Sequence, residues 1–382
     1  MSKRGRVLAA MSGGVDSSVA AALLAEQGYE VIGVTMQIWE AAGPHSCCAP
    51  EGVEDARRVA AALGIRHYTF NMRDAFRATV LEPFAGEYMA GRTPNPCINC
   101  NRYLKFDALL ERAAALEAQW VATGHYARVE RDAETGRWIL RRGVDSAKDQ
   151  SYALYCLTQE QLSQALFPLG GFTKQQTREK AAGLGLSVAG KWESQDICFA
   201  PGGNYARFLR EFAPQSVRPG PILDMSGKVL GDHQGVAFFT VGQRHGLGVA
   251  VGEPLYVVAL DPERAAVIVG PEGALYSEEV WVSDVNYVGL ADMDQPVRAA
   301  GQLRYTAVAE PCTLEPAGPK RVRAVFDAAQ RAATPGQAAV FYDGDTVLCG
   351  GTIEAARRRD AERDSPAGTE AERERAVAAP SG

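Results

Sequence analysis

The segment from Arg6 to Ser18 constrains this chain more than any other. Val7 to Met11 is an unbroken apolar run of the kind that fills a buried parallel strand. Val19, Leu23 and Leu24 then recur at helical spacing up to Gly28, a C′ residue by position. Between strand and helix lie Ser12, Gly13, Gly14, Val15, Asp16 and Ser17. The two glycines let the backbone approach an anion and take positive φ, while the first amides of the helix and the hydroxyls of Ser12, Ser17 and Ser18 supply donors. The order strand, glycine turn, helix forms a phosphate cradle, with Asp16 placed to cap the helix or to help hold Mg2+. A glycine turn that merely joins a strand to a helix is the plainer alternative.

No Lys-Ser or Lys-Thr pair follows in the register of an ordinary P-loop, which argues against transfer of a terminal phosphate. The run from Ser12 to Ser17 instead resembles the pyrophosphatase loop of enzymes that cleave ATP to AMP and pyrophosphate.

Strand-like runs over 7–11, 31–38, 67–71 and 120–123 alternate with helical patterns over 17–27, 51–63 and 103–116. Such alternation predicts an α/β fold with a doubly wound parallel sheet. Ligands sit at the carboxyl ends of strands in that architecture, which gathers the Ser12 loop, Met36, Gly124 and His125 around one pocket. Residues 126–142 read as a hairpin turning at Glu134 to Gly136. Residues 150–164 and 174–184 read as helices, the second opened by a capping box of Thr173 and Gln176. Tyr205, Phe208, Leu209 and Phe212 make a helical stripe that suits core packing.

Beyond about Arg218 the runs 236–240, 255–260 and 266–269 are short apolar strands punctuated by glycine and proline. From about Val280, segments at Trp281, 302–306, 321–326, 338–342 and 347–348 suggest a small β-barrel, with Asp343-Gly344 as a hairpin turn. The expected division is a catalytic domain over 1–217, a β-rich central domain over 218–279, a β-barrel over 280–356 and a disordered tail over 357–382, rich in Arg, Glu, Ala and Pro.

The chain has 382 residues, 46% of them hydrophobic and 23% charged, which suits two or three soluble domains. It shows no leader and no apolar stretch near the roughly 20 residues a membrane span needs, so the expectation is cytoplasmic with no membrane association. A formal charge of −6 weakens an RNA-binding reading without removing it, because partners respond to local patches.

Eight cysteines in such a chain point to metal, redox or sulfur chemistry rather than a disulfide scaffold. Cys97 and Cys100 form a C-x-x-C after Thr93-Pro94-Asn95-Pro96, whose prolines impose an extended loop, and before a helix that places Cys100 near its N-terminus. Helix dipole and amides there favour thiolate, the form that attacks sulfur or binds iron and zinc. Cys198 lies far away in the segment Ser194 to Phe199, and composition alone does not bring it to Cys100; three separate thiols remain the plainer alternative. Cys156, Cys312 and Cys349 read as small apolar residues, and Cys47-Cys48 as incidental loop residues.

Taken in order, the phosphate loop, Gly91 to Asn101, Ala122 to Arg128, Lys148 to Ser151 and Ser194 to Phe199 closely resemble the bacterial tRNA-specific 2-thiouridylases. Thr240 to Gly248, Arg304-Tyr305 and Thr334 to Gln337 extend the resemblance to about Ile353. It implies a pyrophosphatase-loop ATPase fold, doubly wound α/β, followed by β-rich central and C-terminal β-barrel domains. The implied activity replaces the 2-oxygen of a wobble uridine with sulfur: adenylation turns a poor leaving group into AMP, and a sulfur nucleophile displaces it. The implied partners are tRNAs of the Lys, Glu and Gln acceptors and a cysteine desulfurase or sulfur-relay protein.

By the same resemblance Ala10, Met11, Ser12, Gly13, Gly14, Val15, Asp16, Ser17, Met36 and Gly124 bind ATP, with Mg2+ as its companion. Asn95, Pro96 and Cys97 face the target base. His125, Lys148, Asp149, Gln150, Arg304, Tyr305 and Gln337 touch tRNA, with Lys148 and Arg304 on phosphates and Tyr305 stacking or hydrogen-bonding. Cys198 carries a persulfide and Cys100 assists, with a disulfide between them during turnover.

Cys97 departs from the common pattern, which has Asp at this position, so the acid/base role given to that Asp does not transfer. Cys97, Cys100 and Cys198 resemble instead the branch of tRNA thiolases that holds an iron-sulfur cluster: three thiolates bind three irons of a [4Fe-4S] cluster and leave the fourth open. Ligand count favours the cluster, and the persulfide pair stays as the alternative. Two other functions share features with the chain. An amide synthetase with the same ATP loop accounts for Ser12 to Ser18 but not for the cysteines, and a non-enzymatic RNA-binding or cluster-carrier protein would use ATP only as a conformational ligand.

Overall fold

The computed structural model describes residues 4–39, 50–191, 197–200, 202, 205–214, 217–249 and 252–358. Cys47, Cys48, Ser194, Gln195, Asp196 and the tail from 359 onward lie outside the described residues.

Val7, Leu8 and Ala9 are buried on both faces of β1 (Arg6–Ala10), which is why that strand carries no polar alternation. Val7 and Ala9 pack with Val19, Leu23 and Val59 from the helices Val15–Glu26 and Pro50–Ala62. Leu8 packs on the other side with Phe76, Leu104 and Leu109. Helices therefore cover both faces, as the strand and helix alternation predicts.

β2 (Glu30–Gln37), β3 (Arg66–Asn71) and β4 (Trp120–Ala122) join β1 in parallel register, with Val7 opposite both Val31 and Trp120. The hairpin β5 (Ala127–Arg131) and β6 (Trp138–Arg142) then leaves this sheet, and β7 (Ala165–Leu166) completes it in the order β3-β2-β1-β4-β7. Successive connections run to opposite sides of β1, so a crevice opens at the carboxyl ends of β1 and β4.

A second sheet, β8 (Gly220–Asp224), β9 (Val229–His233), β10 (Tyr256–Asp261) and β11 (Ala266–Gly270), has the order β10-β11-β8-β9. The C-terminal strands β12 (Tyr276–Tyr287), β13 (Val297–Gln302), β14 (Glu310–Pro316), β15 (Val322–Arg331), β16 (Ala338–Asp343) and β17 (Thr346–Arg357) close on themselves through β12 and β17. This six-strand barrel also receives the hairpin: Thr346 of β17 pairs with Arg141 of β6. The barrel residues Val340, Tyr342 and Val347 share one apolar core with Tyr152, Leu154 and Leu104.

Several local expectations change. Residues 236–240 form no strand but a 3-10 turn, Val236–Phe238, whose Val236 is buried in the central core; a short apolar run does not distinguish a strand from other buried backbone. Residues 150–164 break into Ser151–Ala153 and Gln159–Ser163, because Thr158 and Gln161 form a capping box that starts a new helix. The capping box of Thr173 and Gln176 forms as expected at the helix Lys174–Gly183. The barrel hairpin turns at Gly344-Asp345, one residue later than expected, and β17 stays paired with β12, across two register shifts, as far as Arg357 opposite Glu279, where the tail was expected to begin.

Candidate active site

A cavity of about 350 Å3 occupies the crevice. Its floor is the phosphate loop: Ala10, Met11, Ser12, Asp16 and Ser17 line it, with Met36 at the end of β2 and Gly124 just beyond β4. Gly13, Gly14 and Val15 complete the loop behind these residues. Gly14 takes the N-cap position and no side chain caps the helix, so no side chain takes up its first amides. The Ser12 N–H donates to Ser17 Oγ at 3.1 Å, and Ser18 Oγ donates to the Gly14 carbonyl at 2.8 Å, holding the loop closed on itself. Gly124 allows the end of β4 to press on this loop, since a Cβ there would stand 2.7 Å from the Ser17 nitrogen.

Asp16 does not cap the helix, whose N-cap is Gly14, and its carboxylate is held by two other side chains. Lys174 Nζ lies 2.7 and 2.8 Å from its two carboxylate oxygens, and the Tyr126 hydroxyl lies 2.8 Å from Oδ1. A Mg2+ ion on Asp16 would have to displace the ammonium. A second lysine, Lys191, reaches the loop from another side, 3.1 Å from the Gly13 carbonyl and 2.6 Å from Asp55 Oδ2.

The opposite wall carries sulfur. Asn95 accepts the Cys97 N–H at 3.1 Å and Pro96 fills the first helical position, so the helix opens at Pro96 rather than at Tyr103. Cys97, not Cys100, therefore occupies the first turn. The run is α-helical over Pro96–Asn99, π-helical over Cys100–Ala108 and α-helical over Leu109–Ala115. A π segment bonds residues five apart, so Lys105 stands one turn beyond Cys100, and both line the cavity.

Cys198 reaches the same cavity, together with Ile197 and Phe199. The anchor is Phe199, buried with its ring 5.1 Å from Phe84, 5.9 Å from Phe76 and 4.7 Å from Phe208. Cys97 is exposed, while Cys100 and Cys198 are half-buried. Cys156, Cys312 and Cys349 are buried, and burial pushes each thiol up to about 12, which leaves them protonated and inert. Among the described residues no three His, Cys, Asp or Glu side chains are arranged to hold a metal ion. Cys97, Cys100 and Cys198 line one cavity.

The positions assigned to tRNA are divided. His125 and Gln150 line the cavity, with His125 buried and Gln150 Oε1 accepting the Tyr126 N–H at 3.0 Å. Asp149 is an internal brace that accepts from Gly143 N, Ser151 N and Arg142. Lys148 is half-buried, Tyr305 is exposed, and Arg304 and Gln337 point into the protein. Pattern reading missed Lys105, Thr123, Lys174 and Lys191. Only Lys105 left a signal, its spacing from Cys100.

A phosphate cradle at the switch point of a parallel sheet, facing a thiol-bearing wall and backed by two β-domains, defines a multidomain nucleotide-loop protein. Residues 5–202 match the family model described as tRNA methyl transferase HUP domain, 206–271 the tRNA methyl transferase PRC-barrel domain, and 277–353 the aminomethyltransferase beta-barrel domain. The tRNA-specific 2-thiouridylase MnmA of Heliobacterium modesticaldum is 54% identical over 353 residues, 91% of this chain and 92% of that protein. Its namesake from Pelotomaculum thermopropionicum is 52% identical over 92% of this chain and 97% of its own length. The chain belongs to this MnmA family of tRNA-specific 2-thiouridylases. Among solved structures, a 4-thiouridine synthetase–RNA complex with bound ATP aligns over 55% of this chain and 51% of its own, with 20% identity and a TM-score of 0.37, too small an overlap to carry argument.

Proposed function

We propose that this protein thiolates the 2-position of a wobble uridine in tRNA, converting ATP to AMP and pyrophosphate. The observation that carries the reading is that one cavity has a phosphate loop on its floor and Cys100 and Cys198 on its walls. ATP lies with its phosphates over the helix start at Val15 and its base toward Val34, Met36 and Ile38. The uridine enters beside Pro96 and Cys97. Its O2 attacks the α-phosphorus and pyrophosphate leaves. A Cys198 persulfide then attacks C2 through its terminal sulfur, the C2–O bond breaks, and AMP departs. The Cys100 thiolate attacks Cys198 Sγ, the S–S bond breaks, the thiocarbonyl stays on the uridine, and a Cys100–Cys198 disulfide remains for a dithiol reductant to reopen. A desulfurase or relay protein supplies the next persulfide sulfur.

A [4Fe-4S] cluster is the second route, favoured by Cys97 lining the same wall; when bound it would present an open iron to a sulfide. The persulfide route asks only for two thiols in one cavity, which Cys100 and Cys198 supply. Methyl transfer, named in the family-model description, gives the cysteine pair nothing to do. Incubation with wobble-uridine tRNA, ATP and a persulfide donor tests the reading. Equal yields of 2-thiouridine, AMP and pyrophosphate are expected, and a methylated product from S-adenosylmethionine without thiolation would overturn it.

A further inference from the structure

Gln337 faces the catalytic loop. Its Nε2 donates to the Thr93 carbonyl at 2.8 Å, and the Thr93 N–H donates to the Pro335 carbonyl at 2.8 Å. Both polar backbone groups of one loop residue are thus held by a single barrel turn, 334–337. The approach is close: Gly336 has φ +88, and a Cβ there would stand 2.8 Å from Arg92 Cβ and 2.8 Å from the Thr93 nitrogen. Two residues beyond Thr93, Asn95 starts the helix that carries Cys97 and Cys100.

The turn is itself braced. Arg304 Nη2 donates to the Ala332 carbonyl at 2.6 Å and lies 3.4 Å from Thr334 Oγ1. Gln302 Nε2 donates to the carbonyls of Arg304, at 3.1 Å, and Tyr305, at 3.0 Å, while its Oε1 accepts from Arg142 Nη2 at 3.1 Å. Arg142 Nη1 pairs with Asp149 at 3.0 Å, and its guanidinium lies over the Tyr342 ring, 3.6 Å from the centroid. A hydrogen-bonded path therefore runs from Asp149 through Arg142, Gln302, Arg304 and the 332–337 turn to Thr93.

We propose that Gln337 is a positioning residue that clamps the loop bearing Cys97 and Cys100 to the barrel, and that Arg142 and Gln302 tie the segments 148–151 and 304–305 to the same clamp. RNA pressing on the half-buried Lys148 and the exposed Tyr305 is thereby transmitted to the loop that meets the base. The inference deepens the thiouridylase reading and rests on it for the identity of that RNA.

The test uses full-length Gln337→Glu, which keeps size and loses the donor, and separately Gly336→Ala, which pushes Arg92 and Thr93 without altering a polar group. Three quantities are read: tRNA affinity, single-turnover thiolation at saturating tRNA, and iodoacetamide labelling of Cys97, Cys100 and Cys198 by mass spectrometry without tRNA. Expected for Gly336→Ala is affinity within about threefold of wild type, because the added methyl removes no phosphate contact, and for both variants a rate about 10- to 100-fold lower through misplacement of the loop. Labelling of Cys97 and Cys100 changes at least about threefold while that of Cys198 does not, since only the clamped loop is released. A Gln337→Glu variant that loses affinity at unchanged rate makes Gln337 a tRNA contact and overturns the clamp, as does unchanged labelling in both variants. Should wild-type protein fail to thiolate tRNA at all, the functional reading falls while the labelling still decides the clamp.

Discussion

Lys105 Nζ lies 3.3 Å from His125 Nε2, and the other ring nitrogen, Nδ1, lies 2.6 Å from the Thr123 hydroxyl. An ammonium can only donate, so Nε2 accepts and the proton sits on Nδ1, donated to Thr123. The ring is therefore neutral. Burial pushes its pKa well below the ordinary value and the Lys105 charge acts in the same direction.

That neutrality makes folding sensitive to acid. The unfolded chain protonates His125 near 6.5, whereas the folded ring resists until the pH is well below that. Between those points the unfolded state binds more protons, so stability rises with pH there and is lost as pH falls below about 6.5, at up to about 1.4 kcal/mol per pH unit for this one group. His67 and His233 are also depressed by burial, so the readout is a difference between proteins. Urea unfolding of wild type and His125→Gln at pH 7.5 and 5.5 should show the advantage of His125 shrinking in acid. A pH-independent difference would mean that the folded ring takes up its proton as readily as the unfolded chain does.

Lys105 is the one side chain of fixed positive charge among the described residues lining the cavity, and no carboxylate among the described residues pairs with it. Lys174 and Lys191, by contrast, are each committed to an aspartate. An ammonium in that position stabilises negative charge as the phosphoryl group transfers. Lys105→Met should lower the rate of pyrophosphate release by about 100-fold while tRNA affinity changes little. Rapid-quench assays with labelled ATP measure the first, and filter binding the second.

Gly124→Ala should act on the nucleotide alone. The added methyl meets the Ser17 nitrogen and the Asp16 carbonyl carbon at 2.7 and 2.8 Å, backbone atoms that cannot swing aside. Displacing the helix start misaligns the amides that meet phosphate, and the ATP KM should rise at least about tenfold, the scale of one charge-assisted hydrogen bond. Circular dichroism should stay unchanged, and a normal KM would place the phosphates elsewhere.

The phosphate loop, the parallel sheet and the Thr173 cap were legible because each is written in neighbouring residues: apolar runs, glycines, a capping pair. What stayed hidden depends on partners far apart in the chain. Phe199 brings Cys198 to the cavity only by meeting Phe76, Phe84 and Phe208, and no local pattern marks those rings as one cluster. Gln337, expected on tRNA by the resemblance, gives no sign in the sequence of its partner, the Thr93 carbonyl. The π segment after Cys100 escaped for another reason, since apolar spacing reports a helix without fixing its pitch, and that pitch is what sets Lys105 beside the thiols.

The two routes for sulfur predict different consequences for the same three cysteines. In the persulfide route Cys100→Ser and Cys198→Ser each lose thiolation by at least about 10³-fold, since residues acting as a unit fail together. Pyrophosphate release in the first turnover persists in both, because adenylation uses the uridine oxygen and the phosphate loop. Cys97→Ala, whose side chain is exposed, keeps most of its activity. In the cluster route Cys97→Ala is as damaging as the others, and protein purified without oxygen contains iron and acid-labile sulfide that the variant lacks. Iron and sulfide quantification beside single-turnover thiolation of the three variants decides it. Iron-free protein that turns over fully with a persulfide donor leaves the cluster no role, and iron bound in proportion to activity would show that the cysteines rearrange to hold it.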